Sequence, residues 1–134
     1  MIRQLDERTL VSGQIGPDDV ARLKDQGVTM IVCNRPDGDE VGQPRAADIE
    51  QAANEAGIEF RFVPIIRGIG PSDAEAMQEA IEQATGPLFI YCRTGNRSTL
   101  AWAVARRNQG ASIDQIQRGA EAAGIDLSPV EHLL

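Results

Sequence analysis

Short apolar runs alternate along this chain with longer stretches whose apolar positions recur at helical spacing. VTMIVCN (28–34), IEFRFVPII (58–66) and LFIYC (88–92) are compact and rich in β-branched and aromatic residues. They read as strands fit for burial on both faces. DDVARLKDQ, RAADIEQAANEA and DAEAMQEAIEQA read as helices between them. IRQLDERTLVSG, at the start, reads as two short strands around a turn at Asp6-Glu7.

Polar punctuation sets the boundaries. Pro17 suits a first helical turn, and Gly27 closes the helix that follows. Ser72 with Glu75, Ser112 with Gln115 and Ser128 with Glu131 have capping-box spacing, which makes the C-terminal third helical. Gly57, Gly86, Gly110 and Gly124 stand where helices end. With no repeat or linker, residues 1–134 form a single α/β domain, a mostly parallel sheet flanked by helices. Right-handed crossovers then bring the strand-to-helix loops 34–45, 65–71 and 92–98 to one carboxyl edge.

Composition narrows the function. A net charge of −7 argues against nucleic acid and anionic membrane surfaces. No apolar run is long enough to span a bilayer, and MIRQLDERTL lacks a signal-peptide core, so a cytoplasmic location is expected. Two separated cysteines and His132 alone do not suggest a metal site or a disulfide framework. Every one of the 13 basic residues except Lys24 is arginine.

Four of those arginines fall on the carboxyl-edge loops: Arg35, Arg67, Arg93 and Arg97, together with Cys92. An acidic protein that gathers arginines where α/β sheets bind ligands points to an anion pocket. In CRTGNRS (92–98), the backbone N–H groups of Arg93, Thr94, Gly95, Asn96 and Arg97 can turn inward as a nest. The N-terminus of the following helix adds positive potential. Gly95 permits the tight turn, Arg97 can offer two parallel donors, and Ser98 is placed to hydrogen-bond the sulfur. A cysteine opening such a loop is a candidate thiolate nucleophile. Cys33 reads as a packed small residue, with a resolving thiol as the alternative, and Trp102 as core. His132 reads as a surface helix residue.

VSGQI, VCNRPDGDEVGQP, VPI and YCRTGNRSTLAW resemble, in order and over nearly the whole chain, the phosphatase-like domain of the beta-lactamase hydrolase-like family. The resemblance implies a tyrosine- or dual-specificity-phosphatase-like fold. It also implies, as a partner, a metal-dependent enzyme resembling persulfide dioxygenases. YCRTGNRS also resembles the active-site loop of rhodanese-type sulfurtransferases.

Two departures from true phosphatases shape the expected chemistry. Cys92 to Arg97 is C-x4-R, where phosphatases have C-x5-R. The shorter ring of N–H groups suits one terminal sulfur better than a tetrahedral phosphate. The loop after VPI also lacks the expected acid and carries Arg67 there. The leading expectation is therefore cofactor-free sulfur transfer through a Cys92 persulfide, on thiosulfate or a small persulfide, with Arg93, Arg97, Arg67 and Arg35 around the donor. The alternative is a phosphatase with a cysteinyl-phosphate intermediate and its acid among Asp37, Asp39 and Glu40. A non-catalytic anion-binding module is the third reading.

Overall fold

Two strands form the centre because nothing in them tolerates water. In β3 (Met30–Cys33) and β5 (Leu88–Tyr91) every side chain is buried. Successive side chains of a strand point to opposite faces. Met30, Val32, Leu88 and Ile90 accordingly enter one core, while Ile31, Cys33, Phe89 and Tyr91 enter the other. The two strands pair in parallel, Met30 opposite Leu88 and Cys33 opposite Tyr91.

The computed structural model describes residues 1–134. Its sheet has the order β1-β2-β5-β3-β4. β2 (Thr9–Ser12) flanks β5 and β4 (Glu59–Phe62) flanks β3, both in parallel, whereas β1 (Arg3–Gln4) runs antiparallel to β2. β4 is shorter and more exposed than IEFRFVPII predicts. It is an edge strand, so its Arg61 and Glu59 pair at 3.6 Å on the wet side.

α1 (Val20–Asp25), entered through a 3-10 turn at Pro17–Asp19, and α2 (Ala46–Ala56) supply Val20, Leu23, Ile49 and Ala53 to one core. α3 (Pro71–Gln83), α4 (Asn96–Asn108) and α5 (Ile113–Ala123) supply Met77, Trp102 and Ile116 to the other. Burying helices on both faces of a parallel sheet is what the alternating pattern requires.

The helix signals resolve unevenly. Ser112 and Gln115 make the full reciprocal box, at 3.1 Å each way. α3 instead starts two residues earlier: Gly70 is its cap, and Asp73 Oδ2 accepts from the Gly70 N–H at 2.9 Å. Ser72 lies inside that first turn. Ser128 belongs to a C-terminal 3-10 segment, Ser128–Leu133, and its N–H is taken by Asp126 at 2.9 Å. Gly86 is no left-handed cap. A Cβ there would meet Thr29 Cγ2 at 2.9 Å, so close packing explains the glycine.

Candidate active site

Because β2, β5, β3 and β4 are parallel, their carboxyl ends deliver Gly13-Gln14, Cys92, Asn34-Arg35 and Ile65 to one edge. Cys92 is fully buried there. The loop after it folds back so that the Gly95 N–H donates to Cys92 Sγ at 3.1 Å. That turn needs Gly95 at φ +94, a left-handed conformation that disfavours any side chain. Thr99 Oγ1 donates to the Gly95 carbonyl at 2.8 Å, and the Asn96 N–H donates to Thr94 Oγ1 at 3.3 Å. The free N–H end of α4, a thirteen-residue helix, lies directly beneath.

The end of β2 forms the wall. The Gln14 N–H donates to the Arg93 carbonyl at 3.2 Å. A Cβ on Gly13 would sit 2.7 Å from that same carbonyl, so the two backbones approach as only glycine permits.

Three of the four predicted arginines converge, and carboxylates meet all three. Arg97 Nη1 and Nη2 donate to Asp39 Oδ1 and Oδ2 at 3.3 and 2.8 Å, and Nη1 also donates to the Ile65 carbonyl at 3.0 Å. Arg35 has a side chain only 3% exposed, and it donates to Gln14 Oε1 at 3.0 Å, Asp39 Oδ2 at 3.1 Å and Glu40 Oε1 at 3.4 Å. Arg93 reaches Glu40 Oε2 at 3.1 Å. Arg67 is exposed on the neighbouring loop and takes no part in the ion pairs that join Arg35, Arg93 and Arg97 to Asp39 and Glu40. The Arg97 and Arg35 guanidiniums hold the Asp39 carboxyl below its ordinary range. Asp39, and to a smaller extent Cys92, hold Arg97 above its own.

The remaining predicted residues find other partners. Ser98 does not reach the sulfur: its buried hydroxyl donates to Asn34 Oδ1 at 2.7 Å, and Asn34 Nδ2 donates to the Val63 carbonyl at 3.0 Å. This fastens α4 to the ends of β3 and β4. Each carboxylate proposed as an acid already has a structural task. Asp37 Oδ1 accepts from the Ala46 N–H at 2.8 Å and caps α2, Asp39 is ion-paired, and Glu40 bridges Arg35 and Arg93. Cys33 is buried beneath the site and donates to the Arg35 carbonyl at 3.3 Å, and burial pushes its thiol up. Trp102 is core, as expected, with its indole N–H donating to Asp6 Oδ2 at 3.2 Å. His132 is exposed on the C-terminal 3-10 segment.

Sequence reasoning overlooked Gly13, Gln14 and Asn34. Their signal was position: each lies within two residues of the end of a strand that the parallel sheet brings to this edge.

The mostly parallel α/β sheet, with the Cys92-to-Arg97 loop at its carboxyl edge, is the fold of the tyrosine- and dual-specificity-phosphatase-like proteins. Residues 1–109 match the profile described as beta-lactamase hydrolase-like protein, phosphatase-like domain, and the chain belongs to that family. It is 32% identical over 128 residues to a beta-lactamase hydrolase-like protein of Xylella fastidiosa, covering 94% of this chain and 30% of that protein. The chain thus spans less than a third of the length of that relative. A crystal structure described as a candidate phosphatase of Neisseria meningitidis superposes with a TM-score of 0.84 at 38% identity, covering 98% of this chain and 95% of that one. TpbA of Pseudomonas aeruginosa, solved in complex with pTyr, shares the fold at a TM-score of 0.65 and 19% identity, over 92% of this chain and 73% of its own. The family match and the 38% identical structure back the phosphatase alternative better than the sulfurtransferase expectation. No helix is long and apolar enough to cross a membrane.

Proposed function

We propose that the chain is a cysteine-based phosphatase with a preference for phosphate monoesters that have good leaving groups. The observation that carries the proposal is the Cys92 loop: a sulfur facing the Gly95 N–H, with Arg97 returning over it at the head of α4. Cys92 thiolate attacks phosphorus, the P–O bond to the leaving group breaks, and a cysteinyl-phosphate forms. The N–H groups of residues 93–97 and Arg97 hold the phosphoryl oxygens. Water then attacks phosphorus and releases phosphate and the thiolate. Asp37, Asp39, Glu40 and Asp73 are all committed to other partners, so the leaving oxygen departs without a strong proton donor. This favours phenolic over alkyl esters, because a missing acid costs ~10²–10⁴-fold for poor leaving groups.

One observation favours a second reading, sulfur transfer. The loop from Cys92 to Arg97 is one residue shorter than a phosphatase loop, and sulfite leaving thiosulfate needs no proton. In that route Cys92 attacks the outer sulfur, the S–S bond breaks, sulfite departs, and the Cys92 persulfide passes its sulfur to an acceptor thiol or to cyanide.

The two routes separate in one experiment. An activated aryl phosphate, or thiosulfate with cyanide, is supplied to the wild type and to Cys92→Ser, with intact-mass analysis of each. Cys92-dependent phenol release with a trapped phosphoryl adduct is the expected result. Thiocyanate formation with gain of one sulfur and no aryl phosphate turnover replaces it with the second reading.

A further inference from the structure

A guanidinium has five N–H donors arranged along three edges. In Arg97, Nη1 spends both of its protons, on Asp39 Oδ1 at 3.3 Å and the Ile65 carbonyl at 3.0 Å. Nη2 spends one, on Asp39 Oδ2 at 2.8 Å. Nε–H and the second Nη2–H remain, side by side on one edge, which is the pairing that grips an oxyanion through two parallel bonds. Asp39 therefore takes the end of the fork and leaves a side of it.

Asp39 is itself held from below. Its Oδ2 also accepts from Arg35 Nε at 3.1 Å, and Arg35 is almost entirely removed from water. A buried guanidinium must be paired, because an unpaired charge in such surroundings costs several kcal/mol or more. Gln14 Oε1 fixes the other end of Arg35 at 3.0 Å. The loop is also stiffened from within: the Glu40 N–H donates to Gln43 Oε1 at 2.9 Å, and Gln43 Nε2 donates to the Pro36 carbonyl at 3.0 Å.

We propose that Asp39, braced by buried Arg35 and Gln14, is the positioning residue that aims the free Nε/Nη2 edge of Arg97 at the oxyanion beside Cys92. This deepens the phosphatase proposal and rests on its premise that Arg97 grips an oxyanion. It assigns Asp39 and Arg35 to support: Asp39 is no proton donor, and Arg35 is no direct substrate ligand. The device fits a site whose loop is short, because an arginine that arrives one residue early needs its angle fixed from outside the loop.

The test is calorimetric titration of tungstate and of sulfate, neither of which the thiol consumes, into the wild type, Asp39→Asn and Asp39→Glu. Thermal unfolding checks that each variant is folded. The wild type binds at least one of the two anions. Asp39→Asn, nearly isosteric but uncharged, weakens that binding by about ten- to a hundredfold. Asp39→Glu keeps the charge and recovers part of it, which a purely structural role would not produce. Binding by Asp39→Asn that equals or exceeds the wild type overturns the proposal, because Asp39 would then be an internal competitor for Arg97. Failure of the folded wild type to bind either anion overturns the premise about Arg97, and the proposed function with it.

Discussion

The Gly95 N–H donates to Cys92 Sγ across 3.1 Å, so the backbone of the loop already holds the sulfur that the proposed reaction uses as its nucleophile. Replacing that sulfur removes the nucleophile of the proposed reaction. Cys92→Ser lowers kcat by at least about 10³-fold, as the loss of a nucleophile generally does. Its thermal midpoint stays close to the wild type, because a serine hydroxyl still accepts the Gly95 N–H. Steady-state hydrolysis of an aryl phosphate beside a thermal melt checks both parts.

Gly13 tests the wall of the site without touching any reactive group. A methyl group there would lie 2.7 Å from the Arg93 carbonyl, and neither backbone can yield without shifting the loop. Gly13→Ala is expected to cost roughly 1–3 kcal/mol of stability as an overpacking change. It also lowers kcat/KM by up to about a hundredfold through displacement of the anion nest. Denaturant unfolding and kinetics on the same preparation read the two effects.

The Asp39 carboxyl is held below its ordinary range by Arg97 and Arg35. A carboxyl depressed in the folded state stabilises the fold above its unfolded value, about 3.9, and loses that contribution as pH falls through the folded value. Asp39→Asn therefore flattens the acid limb of the stability curve below about pH 4. Urea midpoints measured from pH 2 to 7 check this, and parallel curves for the two proteins would contradict the ion pairing.

At the alkaline end the sign reverses. Burial pushes the Cys33 thiol and the Tyr91 hydroxyl up, so both stay neutral in the fold while the unfolded chain ionises them above roughly pH 8.5 and 10. Their contribution is complete below those values and is lost as pH rises. The Tyr91 hydroxyl lies beside the Cys33 thiol and the Gln14 amide but makes no hydrogen bond. Tyr91→Phe is therefore expected to cost no stability at pH 7 and to flatten the alkaline limb, as measured by denaturant midpoints.

Gly119 marks a close contact between α5 and α4. A Cβ there would come 2.5 Å from Trp102 Cη2 and 2.6 Å from the Leu5 carbonyl. Alanine improves helix propensity by up to about 1 kcal/mol, but forcing a rigid indole and a backbone apart costs roughly 1–3 kcal/mol. Gly119→Ala is expected to be net destabilising with unchanged kcat, since the contact lies away from the Cys92 loop. A rise in melting temperature would contradict the packing described.

The α/β class, the strands that end at Cys33 and just before Cys92, and the cysteine-arginine loop were all legible in the sequence, because each depends on local pattern. Burial on both faces writes itself as an unbroken apolar run, and a tight anion loop needs its glycine and arginine within a few residues of the cysteine. The exposure of β4 was not legible, since an edge position depends on strand order rather than on the strand. Nor was the cap of α3, where Asp73 and Gly70 competed with an equally plausible Ser72 and Glu75. The site was legible as an inventory and not as a wiring diagram. Arg35 and Asp39 look from the sequence like an anion ligand and an acid, and only the fold joins them to Gln14 and Arg97, 21 and 58 positions away respectively. Charges on separate loops find their partners through the sheet that brings the loops together. The sequence by itself determined which chemical groups stand at the carboxyl edge; the tertiary structure decided which of them pair with each other and which keep free donors, because that choice depends on distances of a few ångströms between loops far apart in the chain.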